Sequence, residues 1–240
     1  MPLNKVGPGN MYQDFITHTH SHLAGECPHK CSYCYVQDMA RRFPSMSERY
    51  SGPPRLIEKE FEVKYGTGKT IFVENCSDLF ADLIPGHWIG AILSHCRHSP
   101  DNTYVFQTKN PGRIETYLFL FPPHFMIGTT AESNLDQPDI NDPDQTQAPP
   151  VFERLKAMFL LHCPPESKFV TIEPIQKFFL EDFLPMLLDA EVGTYYIGAD
   201  SKNHGLPEPS GGEIWALICA LRGSGKKVVL KSNLKRLYAG

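Results

Sequence analysis

Three thiols lie within eight residues near the start of the chain, in the run Cys27-Pro28-His29-Lys30-Cys31-Ser32-Tyr33-Cys34. Deprotonated cysteines at C-x3-C-x2-C spacing can wrap one metal centre. No fourth cysteine follows at a matching spacing, so a tetrahedral ion or a four-iron cluster would keep one coordination position open. An open position is what a reactive centre needs and a structural staple lacks. A zinc site would normally bring a second Cys pair about twelve to twenty residues on. Here the next cysteine, Cys76, has no pair around it, and Cys96, Cys163 and Cys219 are also scattered singly. Isolated thiols suit buried apolar positions and argue against a disulfide framework. Three-ligand zinc and another cluster type remain alternatives at this point.

The elements that must carry this loop follow a regular pattern. Short β-branched or aromatic runs alternate with longer amphipathic ones. Strands are expected at Phe15–Thr19, Thr70–Asn75, Thr103–Thr108, Phe125–Thr129, Phe169–Glu173, Tyr195–Ala199 and Val228–Lys231. Helices are expected at Val36–Phe43, Trp88–Arg97, Gly112–Leu120, Phe152–Leu161, Leu180–Asp189 and Glu213–Arg222. In Phe152–Leu161, the residues Phe152, Leu155, Met158 and Phe159 share one face at helical period, with Glu153, Arg154 and Lys156 elsewhere. Alternation of this kind means parallel strands and right-handed crossovers, hence an α/β fold as a closed or partial barrel or an open wound sheet. Its chemistry belongs at the C-terminal ends of the strands. The fold expected is a partial TIM-like (β/α)6 barrel with the Cys loop after strand 1, in a single domain over residues 1–240. Ser133–Pro150, with four Asp, four Pro and no Lys or Arg, is expected to be a long mobile lid, and Ser201–Gly212 a similar loop. Gly66-Thr67-Gly68-Lys69-Thr70 ends like a phosphate-binding loop, but Val63 stands where its first Gly belongs and a strand follows, so it reads as a turn.

Composition sets the outer limits. The chain has 240 residues, 41% hydrophobic and 21% charged, as ordinary globular proteins do. No apolar stretch approaches the length of a membrane span, and the N-terminus lacks a signal peptide's apolar core. A cytoplasmic protein without membrane contact is expected, in a compartment where thiols stay reduced. The net charge of −4 weighs modestly against wrapping long nucleic acid, though a local basic patch is compatible with it.

The Cys run, with an aromatic directly before the third Cys, resembles the signature of the radical SAM superfamily. Further stretches are similar to compact phage- and prophage-associated members of that superfamily, most with unassigned substrates. They are Glu74-Asn75-Cys76-Ser77-Asp78-Leu79-Phe80, Phe106-Gln107-Thr108-Lys109-Asn110-Pro111, Gly128-Thr129-Thr130-Ala131-Glu132-Ser133, Val170-Thr171-Ile172-Glu173-Pro174 and Val229-Leu230-Lys231-Ser232-Asn233. The resemblance implies that Cys27, Cys31 and Cys34 hold a [4Fe–4S] cluster whose fourth iron chelates the amino and carboxylate groups of S-adenosylmethionine. It implies an adenine contact for Tyr33 and a methionine-ammonium site at Asn75, Ser77 and Asp78. Lys109 would pair with the methionine carboxylate, and Thr129, Thr130 and Glu132 would hold ribose hydroxyls. An external one-electron donor, such as a flavodoxin- or ferredoxin-like protein or a chemical reductant, would start S-adenosylmethionine cleavage to a 5′-deoxyadenosyl radical.

The substrate side is read from the residues. Glu173 follows an apolar strand and should sit deep in the mouth, where a buried carboxylate needs a partner. Lys231, at the end of the last strand, can supply it, and Asp200 can join them. Cys76, at the mouth end of the second strand, is a candidate hydrogen-atom donor, with a small buried hydrophobe as the plainer reading. His18, His20 and His22 alternate along one strand face and are expected to form a packed, hydrogen-bonded set in preference to a second metal site. His29, inside the Cys loop, is expected as a supporting or surface residue and not as a ligand. The function expected is hydrogen abstraction from an organic substrate, with phage context suggesting a nucleobase, nucleotide or DNA. The alternatives are a peptide or small-metabolite substrate, or a non-enzymatic Cys-loop metal module.

Overall fold

The computed structural model describes residues 3–7, 15–135 and 148–238, and these divide into two compact units. The first comprises residues 1–30 and 34–127, the second residues 31–33 and 128–240; the boundary falls inside a strand. Residues 136–147, the greater part of the expected Ser133–Pro150 lid, lie outside the described residues. Among the described residues, no helix is long and apolar enough to cross a membrane.

In the first unit β1 (Asn4–Lys5) pairs antiparallel with β2 (His18–His20). The chain then forms β3 (Leu23–Ala24), α1 (Tyr35–Arg42), α2 (Pro44–Arg49) and β4 (Arg55–Leu56), with β3 and β4 paired antiparallel. The strand β5 (Thr70–Val73) runs parallel to β2, and after α3 (Gly86–Arg97) β6 (Thr103–Gln107) runs parallel to β5. Ile71, Val73, Tyr104, Val105 and Phe106 are all buried, as central parallel strands require. Gly66–Thr70 is the expected turn into a strand.

The strand β7 (Phe125–Thr130) carries the chain into the second unit. There β8 (Lys168–Ile172), β9 (Thr194–Ile197) and β10 (Lys227–Leu230) are parallel neighbours. They alternate with α4 (Val151–Leu160), α5 (Leu180–Asp189) and α6 (Gly211–Gly223), and α7 (Lys235–Tyr238) follows β10. The start of α6 is set by a reciprocal cap: Ser210 Oγ accepts from the Glu213 amide, and the Glu213 carboxylate accepts from the Ser210 amide. Gly128 packs so closely that an added Cβ would lie 2.1 Å from the Phe169 ring.

All seven expected strands are present, with ends shifted by up to three residues. Two helical expectations need correction. Gly112–Leu120 forms two 3-10 turns, Pro111–Arg113 and Glu115–Leu120, and no α-helix. Arg113 pins this segment by donating to the carbonyls of Ala81 and Ile84. In α4 the buried face is Val151, Arg154, Leu155 and Met158, whereas Phe152 and Phe159 are 59% and 50% exposed. A buried arginine displaces two phenylalanines because the core around it holds a carboxylate that needs a counter-ion, described below.

Candidate active site

In the first unit the segment leading to Cys27 is fixed by Glu74. This residue follows β5 with φ of 58°, a left-handed conformation that costs about 1–3 kcal/mol for a non-glycine residue. Its carboxylate accepts from the backbone amides of His22 (2.6 Å) and Leu23 (3.1 Å) and from His22 Nδ1 (2.9 Å). Gly25 then turns the chain with φ of 89°, where an added Cβ would lie 2.2 Å from the Pro53 carbonyl oxygen. Only glycine fits that position.

Cys27, Cys31 and Cys34 stand outside any disulfide among the described residues and are part-exposed. Cys34 stands at the N-cap of α1. Burial pushes its thiol up, while the amides of Gln37 and Val36 and the charge of Lys109 pull toward the thiolate. Burial prevails, so the uncoordinated thiol is held in its protonated form. Three soft sulfur donors with no fourth suit a cluster with an open iron, and the case for them rests on donor type and spacing. Among the described residues no group of three His, Cys, Asp or Glu side chains is gathered for a single metal ion.

The Asp78 side chain is a clamp within the first unit. Its Oδ2 lies 2.7 Å from His29 Nε2 and accepts from the Lys109 amide at 2.7 Å, and its Oδ1 accepts from the Phe80 amide at 2.9 Å. These partners, the His29 charge foremost, hold the carboxyl below its usual range despite burial that works the other way. His29 is buried, as a supporting residue and not a surface one. Asn75 meets Tyr35, whose hydroxyl donates to the Asn75 carbonyl at 2.6 Å. The Ser77 amide donates to the Glu74 carbonyl, and the Lys109 side chain is half-buried. The Cys76 thiol lies 3.8 Å from the Tyr35 hydroxyl, and burial pushes its pKa up. A neutral thiol is the form that can give up a hydrogen atom.

The histidines divide. His18 is half-buried, bonded to Thr17 Oγ1 at 2.9 Å, while His20 and His22 are buried in a polar network. His20 meets Tyr65 (2.8 Å) and Glu60 (3.2 Å), and His22 Nε2 lies 2.8 Å from His95 Nδ1. Desolvation first, and neighbouring His22 second, lower His20 and His95 to about 4. Unfolding returns both to about 6.5, so the unfolded chain binds more protons between those values. This stability is present above about pH 6.5 and is lost as pH falls through about 4. Chemical denaturation at pH 7 and at pH 4.5 should differ by roughly 3 kcal/mol after allowance for screening, and His95→Gln should flatten that dependence.

In the second unit Tyr33 donates to Glu132 Oε1 at 2.8 Å, and Arg154 Nη1 holds Glu132 Oε2 at 3.0 Å. Burial and the adjacent carboxylate push the Tyr33 phenol well up. Arg154 also donates to Thr130 Oγ1 at 3.2 Å. Glu132 and Thr129 are fully buried and Thr130 nearly so; Glu132 and Thr130 hold Arg154, and Glu132 orients Tyr33. Sequence periodicity concealed Arg154. Its signal was the Glu132 carboxylate, which had to find a cation.

At the ends of β8 and β10, Glu173 and Lys231 form a short buried ion pair, as expected. Asn233 Nδ2 donates to Glu173 Oε1 at 2.8 Å and to the Ala199 carbonyl at 2.7 Å. Gly198 makes room for the pair, since an added Cβ would lie 2.5 Å from Glu173 Oε1. The Asp200 carboxylate binds the amides of Lys202 and His204 and His204 Nδ1, the last at 2.7 Å. It orders the Ser201–Gly212 loop and does not join the Glu173–Lys231 pair through any of these bonds.

With this arrangement in view, comparison with solved structures defines the class of fold. A spore photoproduct lyase variant matches with a TM-score of 0.62 at 11% identity, covering 96% of this chain and 78% of that one. A second, with bound AdoMet and dinucleoside spore photoproduct, matches with a TM-score of 0.57 at 12% identity. It covers 85% of this chain, and the present chain spans 61% of its length, less than two thirds. The fold is thus the mixed α/β, mainly parallel fold of these lyase structures. The chain itself belongs to a family described as Protein of unknown function (DUF5131), whose model matches residues 15–183. Comparison with curated proteins gave no match.

Proposed function

We propose that this protein is a radical SAM enzyme that abstracts hydrogen from a nucleobase or nucleotide substrate, free or within DNA. The observation that carries the reading is the C-x3-C-x2-C run of part-exposed thiols in a chain with the radical SAM fold. Cys27, Cys31 and Cys34 would hold a [4Fe–4S] cluster, and Asn75, Ser77 and Lys109 would serve the methionine end of S-adenosylmethionine. When bound, cluster and S-adenosylmethionine supply a carbon radical able to take hydrogen from an unactivated position. The protein's own residues position and shield. His29 and Asp78 fix the Cys loop from within the first unit. Glu132 and Arg154 hold the Tyr33 ring in one orientation for stacking against adenine. Glu173 and Lys231 form a desolvated charge pair suited to orienting a polar substrate, and Cys76 would return a hydrogen atom.

The nucleobase assignment draws on the similarity to phage-associated proteins and on the dinucleoside held by one structural relative. The protein would work inside the cell, supplied by a flavodoxin- or ferredoxin-like donor. Anaerobically purified protein should contain iron and sulfide near about four each per chain, as such a cluster requires. Stoichiometric zinc without sulfide would exclude the reading.

A further inference from the structure

Gln176 is fully buried, and neither its carboxamide oxygen nor its nitrogen has a hydrogen-bond partner among the described residues. Buried side-chain amides are nearly always paired, because an unpaired one gives up its hydration with no hydrogen bond in return. A methionine or leucine would fill the same volume without that cost. The backbone around Gln176 is firmly held. Its amide donates to the Glu132 carbonyl at 2.9 Å, and the preceding Ile175 amide donates to the Gly198 carbonyl at 2.8 Å. These bonds tie it to the chain leaving β7 and β9, at the strand ends where α/β folds gather their ligand-binding groups. A second unpaired atom lies in the same unit. Asn233 Oδ1 is buried without a partner among the described residues, while the Asn233 nitrogen is committed to Glu173 and Ala199.

We propose that Gln176 reads the edge of a nucleobase, with Asn233 Oδ1 as a further acceptor. A carboxamide offers one donor and one acceptor side by side. An anion would use only the donor and a cation only the acceptor. A heterocycle with an N–H beside a carbonyl, or an amino group beside a ring nitrogen, uses both in a bidentate pair. A base withdrawn from its stack is read in this way by hydrogen bonds to its pairing edge. The inference rests on the proposed function and narrows it. The same chemistry has two sources, the base of the substrate and the adenine of S-adenosylmethionine.

The test uses the full-length reconstituted protein and the variants Gln176→Leu and Gln176→Met. Calorimetric affinities are measured for thymidine 5′-monophosphate and for S-adenosylmethionine, together with the Tm of each protein without ligand. The expected result is an unchanged or raised Tm in at least one variant and a tenfold or greater loss of affinity for one probe. Loss toward the thymidine nucleotide assigns Gln176 to the substrate base, and loss toward S-adenosylmethionine assigns it to the cofactor's adenine. Affinities within twofold of wild type overturn the proposal, whatever the Tm does, because the amide is then satisfied by internal water alone. Failure of the wild-type protein to bind either probe also overturns it. Iron and sulfide content of the same wild-type sample reports separately on the radical SAM reading.

Discussion

Replacing Cys27, Cys31 or Cys34 singly by alanine is expected to remove essentially all bound iron and sulfide, whereas Cys96→Ala or Cys219→Ala should leave both in place. The difference follows from what each thiol is in contact with. Cys96 lies fully buried on α3 among apolar side chains, and Cys219 is exposed on α6. Neither stands near a second free cysteine in sequence. The three loop cysteines are part-exposed, and Cys34 has helix amides and Lys109 to support a thiolate. A three-thiolate cluster has no redundancy, so the loss of any one ligand should be as severe as the loss of all. Cys96→Ala should cost stability through a small cavity without altering iron content. Elemental analysis beside the visible absorption of the cluster separates these outcomes. Equal iron loss in Cys96→Ala and Cys31→Ala would show the effect to be a folding defect.

The second large effect is expected at Glu173. Its side chain and that of Lys231 are 8% and 4% exposed, so Glu173→Gln leaves an ammonium buried without its counter-charge. Removing one partner of such a pair costs about 3–5 kcal/mol, and the Tm should fall accordingly. The cluster and the slow uncoupled cleavage of S-adenosylmethionine should persist, while substrate turnover disappears. The double variant Glu173→Gln/Lys231→Met restores neutrality and should recover most of the stability but none of the turnover. Turnover returning with stability would make the pair a structural ion pair only. If Glu173→Gln abolishes cofactor cleavage while the protein remains folded, the residue belongs to the cofactor site.

The strands were legible because parallel strands buried on both faces leave continuous apolar runs, such as Phe169–Ile172, ending in polar residues. The Glu173–Lys231 pair was legible for the same reason: two opposite charges at the ends of buried strands have few other ways to be satisfied. Arg154 was not, because helical period ranks Phe152 and Phe159 above an arginine and takes no account of a carboxylate more than twenty residues away in sequence. The bonds of Asp78 to His29 and two backbone amides were not legible, because the Cys-loop resemblance marks the segment as cofactor-facing and says nothing of its internal partners. Glu74 and Gln176 carry no sequence signal of their own. One is identified by its left-handed backbone and its bonds to the Cys-loop lead, the other by an amide with no partner among the described residues.

The most direct measurement is product analysis after anaerobic reduction of the reconstituted protein with S-adenosylmethionine. The account predicts methionine and 5′-deoxyadenosine in equal amounts from the wild-type chain and from Glu173→Gln, and neither from Cys31→Ala. A wild-type protein that carries a full complement of iron and sulfide yet forms no 5′-deoxyadenosine would contradict it.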